Sequence, residues 1–433
     1  MLAADQRITD INNGGERSLK ICLLGYRSNP YSGGQGIYIK FLSKALVDAG
    51  HQVDVISGQP YPQLDSRVRL IKLPGLDLYA KKHPNLALRP RHLLSFTDFF
   101  EWFSKVTGGF AEPYTFGRRL VAYFKQHQPD YDIVHDNQSL CYGTLQLQQM
   151  GVPVLTTIHH PITSDLRIAL QNSDSLKGKL LIRRWHSFLY MQKKVVKQLD
   201  HLVTVSEASR GDIAEDFDVP EGRISIVTNG IDTEIFRPLE TIRREECTIM
   251  ATASADVPLK GLDYLLLAVA ELRTEFPKLK LLILGKLKSG GDTAALIQRL
   301  GIGDRIQFFS GLTSEEVAAL YARATCAVVP SIYEGFGLPA GEAMACRVPV
   351  ISTDGGALPE VVGDSGIIVP TRDHEAISAA LRELLNDPSR RESLARQGKQ
   401  RILAQFSWDV AASQMTELYQ KIIAETTNVA SDR

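Results

Sequence analysis

Cysteine is scarce in this sequence and never forms a paired motif. The five cysteines among its 433 residues are Cys22, Cys141, Cys247, Cys326 and Cys346, and no two of them are separated by two residues. This spacing excludes a C-x-x-C zinc or redox site. An odd, dispersed set in a long chain is typical of reduced thiols, so we predict a cytoplasmic protein.

The sequence also lacks a surplus of charge and long apolar runs. Lysine and arginine total 49 and aspartate and glutamate total 49, so the formal net charge is zero. A nucleic-acid binder needs a cationic surplus, and we therefore expect no nucleic-acid partner. No window reaches the roughly 18 uncharged apolar residues of a membrane span. The polar start, "MLAADQRITDINNGGERSLK", lacks the apolar core of a signal peptide.

Short apolar runs alternate with helical patterns in two successive sets. The first set consists of the runs "LKICLLG", "QVDVIS", "DIVHDN", "VPVLTTIHH", "HLVTVS" and "ISIVTNG". The second set consists of "ECTIMATAS", "LKLLILG", "RIQFFSG", "CAVVPS", "VPVIST" and "GIIVP". Alternation of this kind predicts a parallel, doubly wound sheet covered by helices on both faces. The chain length suits two domains. We therefore predict an α/β protein of two Rossmann-like domains that face a central cleft.

The rhythm breaks near residues 228–240, where we place the hinge. A last helix from about Trp408 to Ala424 lies beyond the second set, and we expect it to cross back to the N-terminal domain. The predicted parts are a disordered leader at 1–17, an N-terminal domain at 18–230 completed by a helix at 407–425, a C-terminal domain at 231–406 and a flexible tail at 426–433.

Two stretches of the N-terminal half depart from the β/α rhythm. Residues 76–128 are rich in aromatics, and residues 176–199, "LKGKLLIRRWHSFLYMQKKVVKQL", form a basic helical pattern. The simpler interpretation of both is a packed or solvated helix. The alternative is a site for an acceptor or for a membrane surface, because basic amphipathic helices attract anionic headgroups.

The stretch "SIYEGFGLPAGEAM" at residues 331–344 follows the strand-like "CAVVPS" and has the pattern of an anion-binding turn. Gly335 and Gly337 permit a tight turn, and Pro339 suits the first turn of a helix. The amides of Phe336, Gly337 and Leu338 are then available at the positive end of a helix dipole. Such a site attracts phosphate without a lysine.

Two carboxylates flank this turn. Glu334 precedes it, and Glu342 lies about one helical turn beyond it. A carboxylate accepts two hydroxyl hydrogen bonds, so Glu342 suits a ribose diol and Glu334 suits a sugar at the other end of a diphosphate. The alternative is that the glycines only permit a turn and that both acids are solvated. The order of strand, turn, proline, helix and acids favours a nucleotide sugar.

This segment resembles the E-x7-E signature of retaining glycosyltransferases with the GT-B fold, specifically glycosyltransferase family 4. "VPVISTDGGALPEVV", "YSGGQGIYIKFLSKALVDAGHQVDVIS", "VSE", "NGID" and "FSW" also resemble that family. The similarity covers nearly the whole chain apart from the leader, the tail and the aromatic insertion. It implies a metal-independent enzyme without a cofactor that moves a sugar from a nucleotide-diphosphate sugar, preferably a UDP-sugar, to a hydroxyl of a glycan, a lipid or a small molecule.

The resemblance also implies roles for individual residues. The donor would bind the C-terminal domain, with Glu334 on the sugar, Glu342 on the ribose and the amides of 335–338 on the diphosphate. The acceptor would bind mainly the N-terminal domain. Attack would occur on the front face of the donor, where the leaving phosphate helps to deprotonate the acceptor. No residue of the protein would then act as a nucleophile.

Further matching positions lie outside the signature. Gly34, with Gly33 beside it, matches the glycine whose backbone approaches the phosphates. His159 in "TTIHHPIT" matches a histidine near the transferred sugar, and the carboxyl end of a strand is where ligands of open α/β sheets bind. Lys260 in "DVPLKG" matches the lysine that stabilises the negative charge built up on the departing diphosphate.

Two positions depart from the family pattern. The family usually has an arginine six residues before the lysine, where this chain has Ser254, and commonly a glycine where it has Arg347. A non-glycine residue is tolerated in a left-handed helix cap, so the second is a local variation. The first leaves open that another basic residue substitutes, that the loop is arranged differently or that activity is weak, and it motivates one alternative to the transferase, a sugar-nucleotide binder without activity. The other alternative is a phosphorylase or synthase of the same fold that acts on a small sugar or sugar phosphate. The D-x-D at Asp130 and Asp132 leads into a buried strand and is no metal site by its context.

Overall fold

The structure is a computed structural model that describes residues 17–30, 34–171, 173 and 175–431. The predicted leader, apart from Arg17, and Gly33 lie outside the described residues, as does the end of the predicted tail. The chain divides into two compact units. Unit 1 comprises residues up to Thr204, Arg210–Val227 and the chain from Ala411 onward, and unit 2 comprises Val205–Ser209 and Thr228–Val410.

Unit 1 contains a seven-stranded parallel sheet with the order β3-β2-β1-β4-β5-β6-β7. The order reverses between β1 and β4, so loops that follow these two strands lie at the switch point where open α/β sheets bind ligands. The strands are β1 (Lys20–Gly25), β2 (Gln52–Ser57), β3 (Arg69–Lys72), β4 (Ile133–Asn137), β5 (Val154–Thr157), β6 (His201–Thr204) and β7 (Ile224–Ile226).

Helices connect these strands and cover both faces of the sheet. They are α1 (Gly34–Asp48), α2 (Pro90–Leu93), α3 (Phe96–Val106), α4 (Glu112–His127), α5 (Tyr142–Gln149), α6 (Thr163–Gln171), α7 (Leu176–Trp185), α8 (Leu189–Val196) and α9 (Glu207–Phe217). Short 3-10 turns occur at Pro84–Ala87, His186–Phe188 and Glu221–Arg223. The central strands are buried on both faces, which explains their continuous apolar runs.

The six strands that the apolar runs of the first set predict are confirmed, and β3 was missed. This strand lies at the edge of the sheet, and its residues are half-buried or exposed. Its sequence, Arg-Leu-Ile-Lys, therefore places charged side chains at both ends of a very short segment. An edge strand needs no continuous apolar run, and this is why the pattern did not reveal it.

The aromatic insertion and the basic stretch are both helical. Within 76–128, α4 serves as the connection to β4, so the additional structure consists of a 3-10 turn, α2 and α3. The basic stretch is interrupted at His186–Phe188, although the sequence pattern predicted one helix over 176–199. His186 Nδ1 lies 2.8 Å from the Ile182 carbonyl oxygen, and Phe188 packs against Phe110. These contacts stabilise the break.

The last helix, α17 (Trp408–Ser431), contributes buried side chains to unit 1 from Ala411 onward. Tyr419 is buried, and its hydroxyl lies 2.6 Å from Nδ1 of His135 on β4. His51 Nε2 lies 2.9 Å from the Thr416 hydroxyl. The helix is therefore fixed to unit 1 by buried polar contacts as well as by apolar packing.

Unit 2 contains a six-stranded parallel sheet with the order β10-β9-β8-β11-β12-β13. The strands are β8 (Thr248–Thr252), β9 (Lys280–Leu284), β10 (Ile306–Phe309), β11 (Cys326–Val329), β12 (Val350–Thr353) and β13 (Ile367–Val369). All six lie where the apolar runs of the second set predict them. The order reverses between β8 and β11, and these two strands therefore define the switch point of unit 2.

The helices of unit 2 are α10 (Leu262–Leu272), α11 (Asp292–Leu300), α12 (Ser314–Arg323), α13 (Leu338–Ala345), α14 (Leu358–Val362), α15 (His374–Asn386) and α16 (Pro388–Gln405). Alternate residues of each strand belong to two apolar clusters. Met250 faces the cluster that includes α13, and Ile249 faces the cluster that includes α10. The sheet therefore has a buried core on each face.

Two findings bear on the predictions from composition. All five cysteines are free, and four of them are buried. In the described ranges, no helix combines the length and apolarity that are needed to cross a membrane.

Candidate active site

The loop between β11 and α13 has the turn that its glycines predict. Gly337 adopts φ +103°, a left-handed conformation that disfavours any other residue. A Cβ atom at this position would also lie 2.8 Å from the Leu358 side chain. Pro339 occupies the first turn of the helix, where its missing N–H costs nothing. The chain therefore reverses sharply and starts α13 at Leu338.

The peptide groups of this turn are oriented by two serines. The carbonyl oxygen of Gly335 accepts hydrogen bonds from the hydroxyls of Ser206 at 2.8 Å and Ser209 at 3.0 Å. Because a trans peptide is planar, the N–H of Phe336 points away from these serines. Within the described part of the chain, the amides of 335–338 donate to no other residue. They are the unsatisfied donors expected at a helix N-terminus.

Glu334 and Lys260 form an ion pair beside the turn. Lys260 Nζ donates to Glu334 Oε1 at 2.7 Å, and the Ser331 hydroxyl donates to the same oxygen at 2.7 Å. The side chain of Glu334 is 12% exposed and that of Lys260 is 33% exposed. The structure thus brings together two of the predicted site residues, which lie 74 positions apart in the sequence.

The backbone around this ion pair is held from two sides. The amide of Ile332 donates to the carbonyl oxygen of Leu259 at 2.8 Å, so the loop that carries Lys260 is joined to the loop that carries Glu334. On the other side, the amide of Ala357 donates to the Glu334 carbonyl oxygen at 2.8 Å. The loops that follow β8, β11 and β12 therefore support one another at the switch point of the sheet.

Glu342 lies on the second turn of α13 and is partly buried. Burial raises the pKa of its carboxyl group to about 8, and the nearby hydroxyl of Tyr321 opposes this shift. That hydroxyl lies 3.5 Å from Glu342 Oε2 and 3.2 Å from the Pro339 carbonyl oxygen. The neutral form of this carboxyl group is therefore favoured below about pH 8.

The two departures from the family pattern have different structural outcomes. Arg347 adopts φ +57°, which is the left-handed conformation expected after α13, and its carbonyl oxygen accepts from Arg244 at 2.7 Å. The side chain of Arg347 pairs with Glu392. Ser254 follows β8 and is exposed. It supplies no positive charge at the end of that strand.

In unit 1, His159 follows β5 and is fixed by the side chains of the last residue of β4 and of the residue that follows it. Its Nε2 lies 2.7 Å from Asn137 Oδ1, and its amide donates to Gln138 Oε1 at 2.9 Å. Asn137 Nδ2 donates to the carbonyl oxygen of Gln35 at 3.0 Å, so Oδ1 is the atom that faces the imidazole. His159 Nε2 is then the protonated nitrogen, and Nδ1 is available as an acceptor.

The ring of His159 is held in a neutral state. Burial lowers its pKa to about 3, and the neighbouring His160 adds to this shift. Tyr38 contacts the ring edge to face, with centroids 4.7 Å apart. A neutral, oriented imidazole accepts a hydrogen bond from a hydroxyl group but cannot act as a cationic acid near neutral pH.

The glycine-rich loop after β1 is described only in part. Gly34 is the first residue of α1 and is exposed, and a Cβ atom there would contact nothing within 4 Å. Its neighbour Gly33 lies outside the described residues. The space around Gly34 does not require glycine at this position, and the close approach of a ligand there stays a prediction.

Sequence reasoning missed the residues that orient the site residues. Ser206 and Ser209 orient the turn of unit 2, and Asn137 orients His159. The motif "VSE" was noted only as part of a resemblance, and no chemical role was assigned to its serine. The position of Asn137 in the sequence could have identified it, because it is the last residue of β4 and so lies at the switch point of unit 1, where ligands bind.

The D-x-D sequence at Asp130 and Asp132 has a structural role. Asp132 pairs with Arg17 at 2.8 Å and accepts from the amide of Lys20, whereas Asp130 pairs with the Lys20 side chain at 3.1 Å. These residues precede β4 and so lie at the amino edge of the sheet. Over the described residues, no group of three or more His, Cys, Asp or Glu side chains is arranged to hold a metal ion.

Two known families match the two halves of this chain. Residues 32–235 match the family described as Glycosyltransferase Family 4, and residues 239–401 match the family described as Glycosyl transferases group 1. The second match contains the loop with Glu334 and the loop with Lys260. The first match contains β4 and β5 with Asn137 and His159.

Individual relatives are similar over nearly the whole chain. An MMP alpha-(1->4)-mannosyltransferase from Mycolicibacterium hassiacum is 45% identical over 410 residues, which cover 94% of this chain and 99% of the relative. A D-inositol 3-phosphate glycosyltransferase from Salinispora tropica is 28% identical, with 93% of this chain and 83% of the relative covered. The solved structure of sucrose-phosphate synthase from Thermosynechococcus elongatus is 25% identical, with a TM-score of 0.68 over 94% of this chain and 100% of that one.

Proposed function

We propose a function for this chain that starts from its family: it belongs to glycosyltransferase family 4 and has the GT-B fold and the transferase activity of that family. In this proposal it is a retaining, metal-independent enzyme that uses a nucleotide-diphosphate sugar. The observation that carries this proposal is the contact of 2.7 Å between Lys260 Nζ and Glu334 Oε1 beside the N-terminus of α13. A cation, a carboxylate and free amides at one strand end suit a sugar diphosphate.

The donor occupies unit 2 in this proposal. The amides of 335–338 bind the diphosphate, because their N–H groups are unsatisfied and the helix dipole favours negative charge. Glu342 accepts hydrogen bonds from the ribose diol. Glu334 accepts from hydroxyls of the transferred sugar while Lys260 turns toward the phosphates. The ion pair of the free protein holds both side chains ready for these tasks.

Transfer proceeds on one face of the donor sugar. The bond between C1 and the β-phosphate oxygen breaks, and a bond from the acceptor oxygen to C1 forms on the same face. The acceptor proton passes to the departing phosphate oxygen, and a nucleoside diphosphate leaves. Lys260 stabilises the charge that develops on this diphosphate, which is the kind of interaction that lowers a barrier most effectively.

His159 contributes from unit 1 as a hydrogen-bond acceptor. Its Nδ1 carries the lone pair because Nε2 is protonated toward Asn137. A hydroxyl of the transferred sugar or of the acceptor can donate to it. The low pKa keeps the ring in this state during turnover. Gly33 and Gly34 are expected to let the backbone approach the phosphates.

Mannose is the sugar that we propose, because the relative with 45% identity is named a mannosyltransferase. The acceptor in this proposal is a hydroxyl of a saccharide or of a small polyol, since the first name gives a (1->4) linkage and the second gives inositol 3-phosphate. Uridine is the base expected from the family resemblance. The test below therefore includes other bases.

Peripheral contact with an anionic membrane is part of the proposal for the acceptor. The helices α3 and α7 touch, since Arg184 Nη2 donates to the Thr107 hydroxyl at 2.8 Å. The large apolar side chains around them are exposed: Leu93, Leu94, Phe96, Phe103, Leu176, Leu180 and Leu181. Of the basic side chains there, Lys177 and Arg183 are exposed and Lys179 is half-buried. An apolar surface with interspersed cations suits the interface of an anionic bilayer. Failure to bind anionic vesicles at low salt would contradict it.

The test begins with a thermal-shift screen of UDP, GDP and ADP and of their mannose and glucose derivatives, because a ligand that binds only the native state raises Tm. The best donor is then incubated with mannoside and inositol acceptors, with and without EDTA. We expect transfer that EDTA does not reduce and a product with the anomeric configuration of the donor by NMR. Inversion or loss of activity with EDTA would contradict the proposal.

Two alternatives give different outcomes in the same assays. A phosphorylase would form a sugar phosphate from a glycoside and inorganic phosphate without any nucleotide. A binder without activity would shift Tm and release no nucleoside diphosphate, and the exposed Ser254 is the observation that motivates this case. Glu334→Gln should abolish most transfer, whereas Glu246→Gln, whose side chain is 84% exposed, serves as the matched control.

A further inference from the structure

The end of β8 lacks a positively charged side chain that could bind the donor diphosphate together with Lys260. Ser254 is exposed there and cannot neutralise a phosphate. The diphosphate of a nucleotide sugar already carries two negative charges, and a third develops on it as the sugar departs, so one lysine compensates only a part of this charge. A second cation is therefore expected at this edge of the sheet, and the neighbouring strands are the places to search.

The register of the sheet identifies one residue. In the parallel pair of β8 and β9, Thr252 lies opposite Leu284. The pairing continues past the ends of both strands, because the amide of Ala253 donates to the Leu284 carbonyl oxygen at 3.2 Å. Extending the same register by two residues places Ser254 opposite Lys286. Neighbouring strands are about 4.8 Å apart, so the two positions are adjacent.

A glycine keeps these two chain segments in contact. A Cβ atom at Gly285 would lie 2.4 Å from the Ala253 carbonyl oxygen and 3.3 Å from Ser254 Cα. Its amide donates to the Phe309 carbonyl oxygen of β10 at 2.8 Å, so it is still part of the sheet. Lys286 therefore starts its loop directly beside Ser254, and its side chain is exposed.

The topology places Lys286 at the same edge as the rest of the candidate site. β8 lies between β9 and β11, and the loops that follow these three strands carry Lys286, Lys260 and Glu334. All three strands are parallel, so their carboxyl ends share one edge. We propose that Lys286 binds the donor diphosphate and replaces the cation that is missing at Ser254. This inference depends on the nucleotide-sugar donor proposed above.

The other nearby lysine is a weaker candidate. The backbone hydrogen bond from Thr293 lowers the pKa of Asp256, and the charge of Lys288 adds to this shift. Asp256 in turn accepts from the amide of Thr293 at 2.9 Å and so belongs to the turn before α11. Lys288 thus interacts with the loop itself, whereas Lys286 lies at the strand end.

The experiment compares three lysine variants for binding and turnover. We expect Lys286→Ala to lower kcat/KM by about 10- to 100-fold and to weaken UDP or GDP binding more than binding of the corresponding monophosphate. Lys278→Ala is the matched control, because Lys278 precedes the same strand at the opposite edge and its side chain is 81% exposed. Lys288→Ala should also act as wild type.

A second variant tests the replacement directly. In Ser254→Arg/Lys286→Ala, the guanidinium on the adjacent strand should restore most of the lost turnover, so the two substitutions should be strongly non-additive. The proposal is overturned if Lys286→Ala binds UDP and GDP and turns over as wild type does, or if Lys288→Ala shows the loss instead. If wild type binds no nucleoside diphosphate at all, the proposed donor itself is wrong.

Discussion

The hydroxyl group of Ser206 donates a hydrogen bond of 2.8 Å to the carbonyl oxygen of Gly335, and Ser209 donates to the same oxygen at 3.0 Å. Both serines are buried, so these bonds form away from water. They fix the peptide plane between Gly335 and Phe336 and thereby the direction of the Phe336 N–H. The turn is oriented before any anion arrives, which reduces the cost of binding one.

This arrangement predicts the effect of removing the serines. Ser206→Ala should weaken donor binding about threefold to tenfold, because one hydrogen bond contributes roughly 1 kcal/mol and Ser209 still holds the carbonyl. The double variant Ser206→Ala/Ser209→Ala should lose more than the sum of the single effects. Calorimetric titration with the best nucleoside diphosphate measures this. Ser314→Ala, at an exposed position of α12, is the control and should bind as wild type.

A second prediction concerns Lys260. Lys260→Ala should lower kcat about 10²- to 10³-fold, because it removes a cation that acts mainly on the charge of the transition state. The effect on Tm should be small, since the side chain is 33% exposed and Glu334 keeps its bond from Ser331. Single-turnover kinetics at saturating donor checks the prediction. A kcat within threefold of wild type would remove Lys260 from its assigned role.

Most of the sheet could be predicted from the sequence, because buried parallel strands require continuous apolar runs. The edge strand β3 could not, since its exposed side chains carry no such requirement. The contact between Lys260 and Glu334 follows from no periodicity. The family resemblance assigned both residues to the donor site but did not predict their contact. The bond from Ser206 to Gly335 spans 129 positions that no local pattern connects. The interruption of the helix after α7 depends on a side-chain contact of His186, which the spacing of apolar residues does not reveal.

A third prediction follows from the carboxyl group of Glu342, whose pKa is raised to about 8. A ribose diol donates to the carboxylate, so donor binding favours loss of the proton. Affinity for the nucleoside diphosphate should therefore increase as pH rises from 6.5 to 8.5 and then level off. Titrations at fixed ionic strength measure this, and Glu342→Gln should show a weaker and flatter profile. An unchanged slope in that variant would assign the pH dependence to another group.

The same shift in pKa affects stability with the opposite sign. The folded protein favours the neutral carboxyl, so this contribution to the free energy of unfolding is complete below the ordinary pKa of 4.5 and is lost as pH rises through about 8. Glu342→Gln should therefore lose less stability than wild type between pH 5 and pH 8.5. Urea unfolding at several pH values provides the comparison.

The last prediction concerns His159, whose pKa is lowered to about 3 by burial. The unfolded chain binds a proton near the ordinary value of 6.5 and the folded chain does not, so stability is complete above pH 6.5 and decreases as pH falls toward 3. His159→Gln should reduce the slope of the unfolding free energy with pH by up to about 1.4 kcal/mol per pH unit between pH 6 and pH 4. His127→Gln, at an exposed position of α4, is the control.

Since the imidazole of His159 stays neutral in the folded protein, kcat of the wild type should show no ionisation of this group between pH 5 and pH 8. An ionisation in that range that His159→Gln abolishes would mean that the ring gains a proton during turnover, and its role as a neutral acceptor would then be wrong.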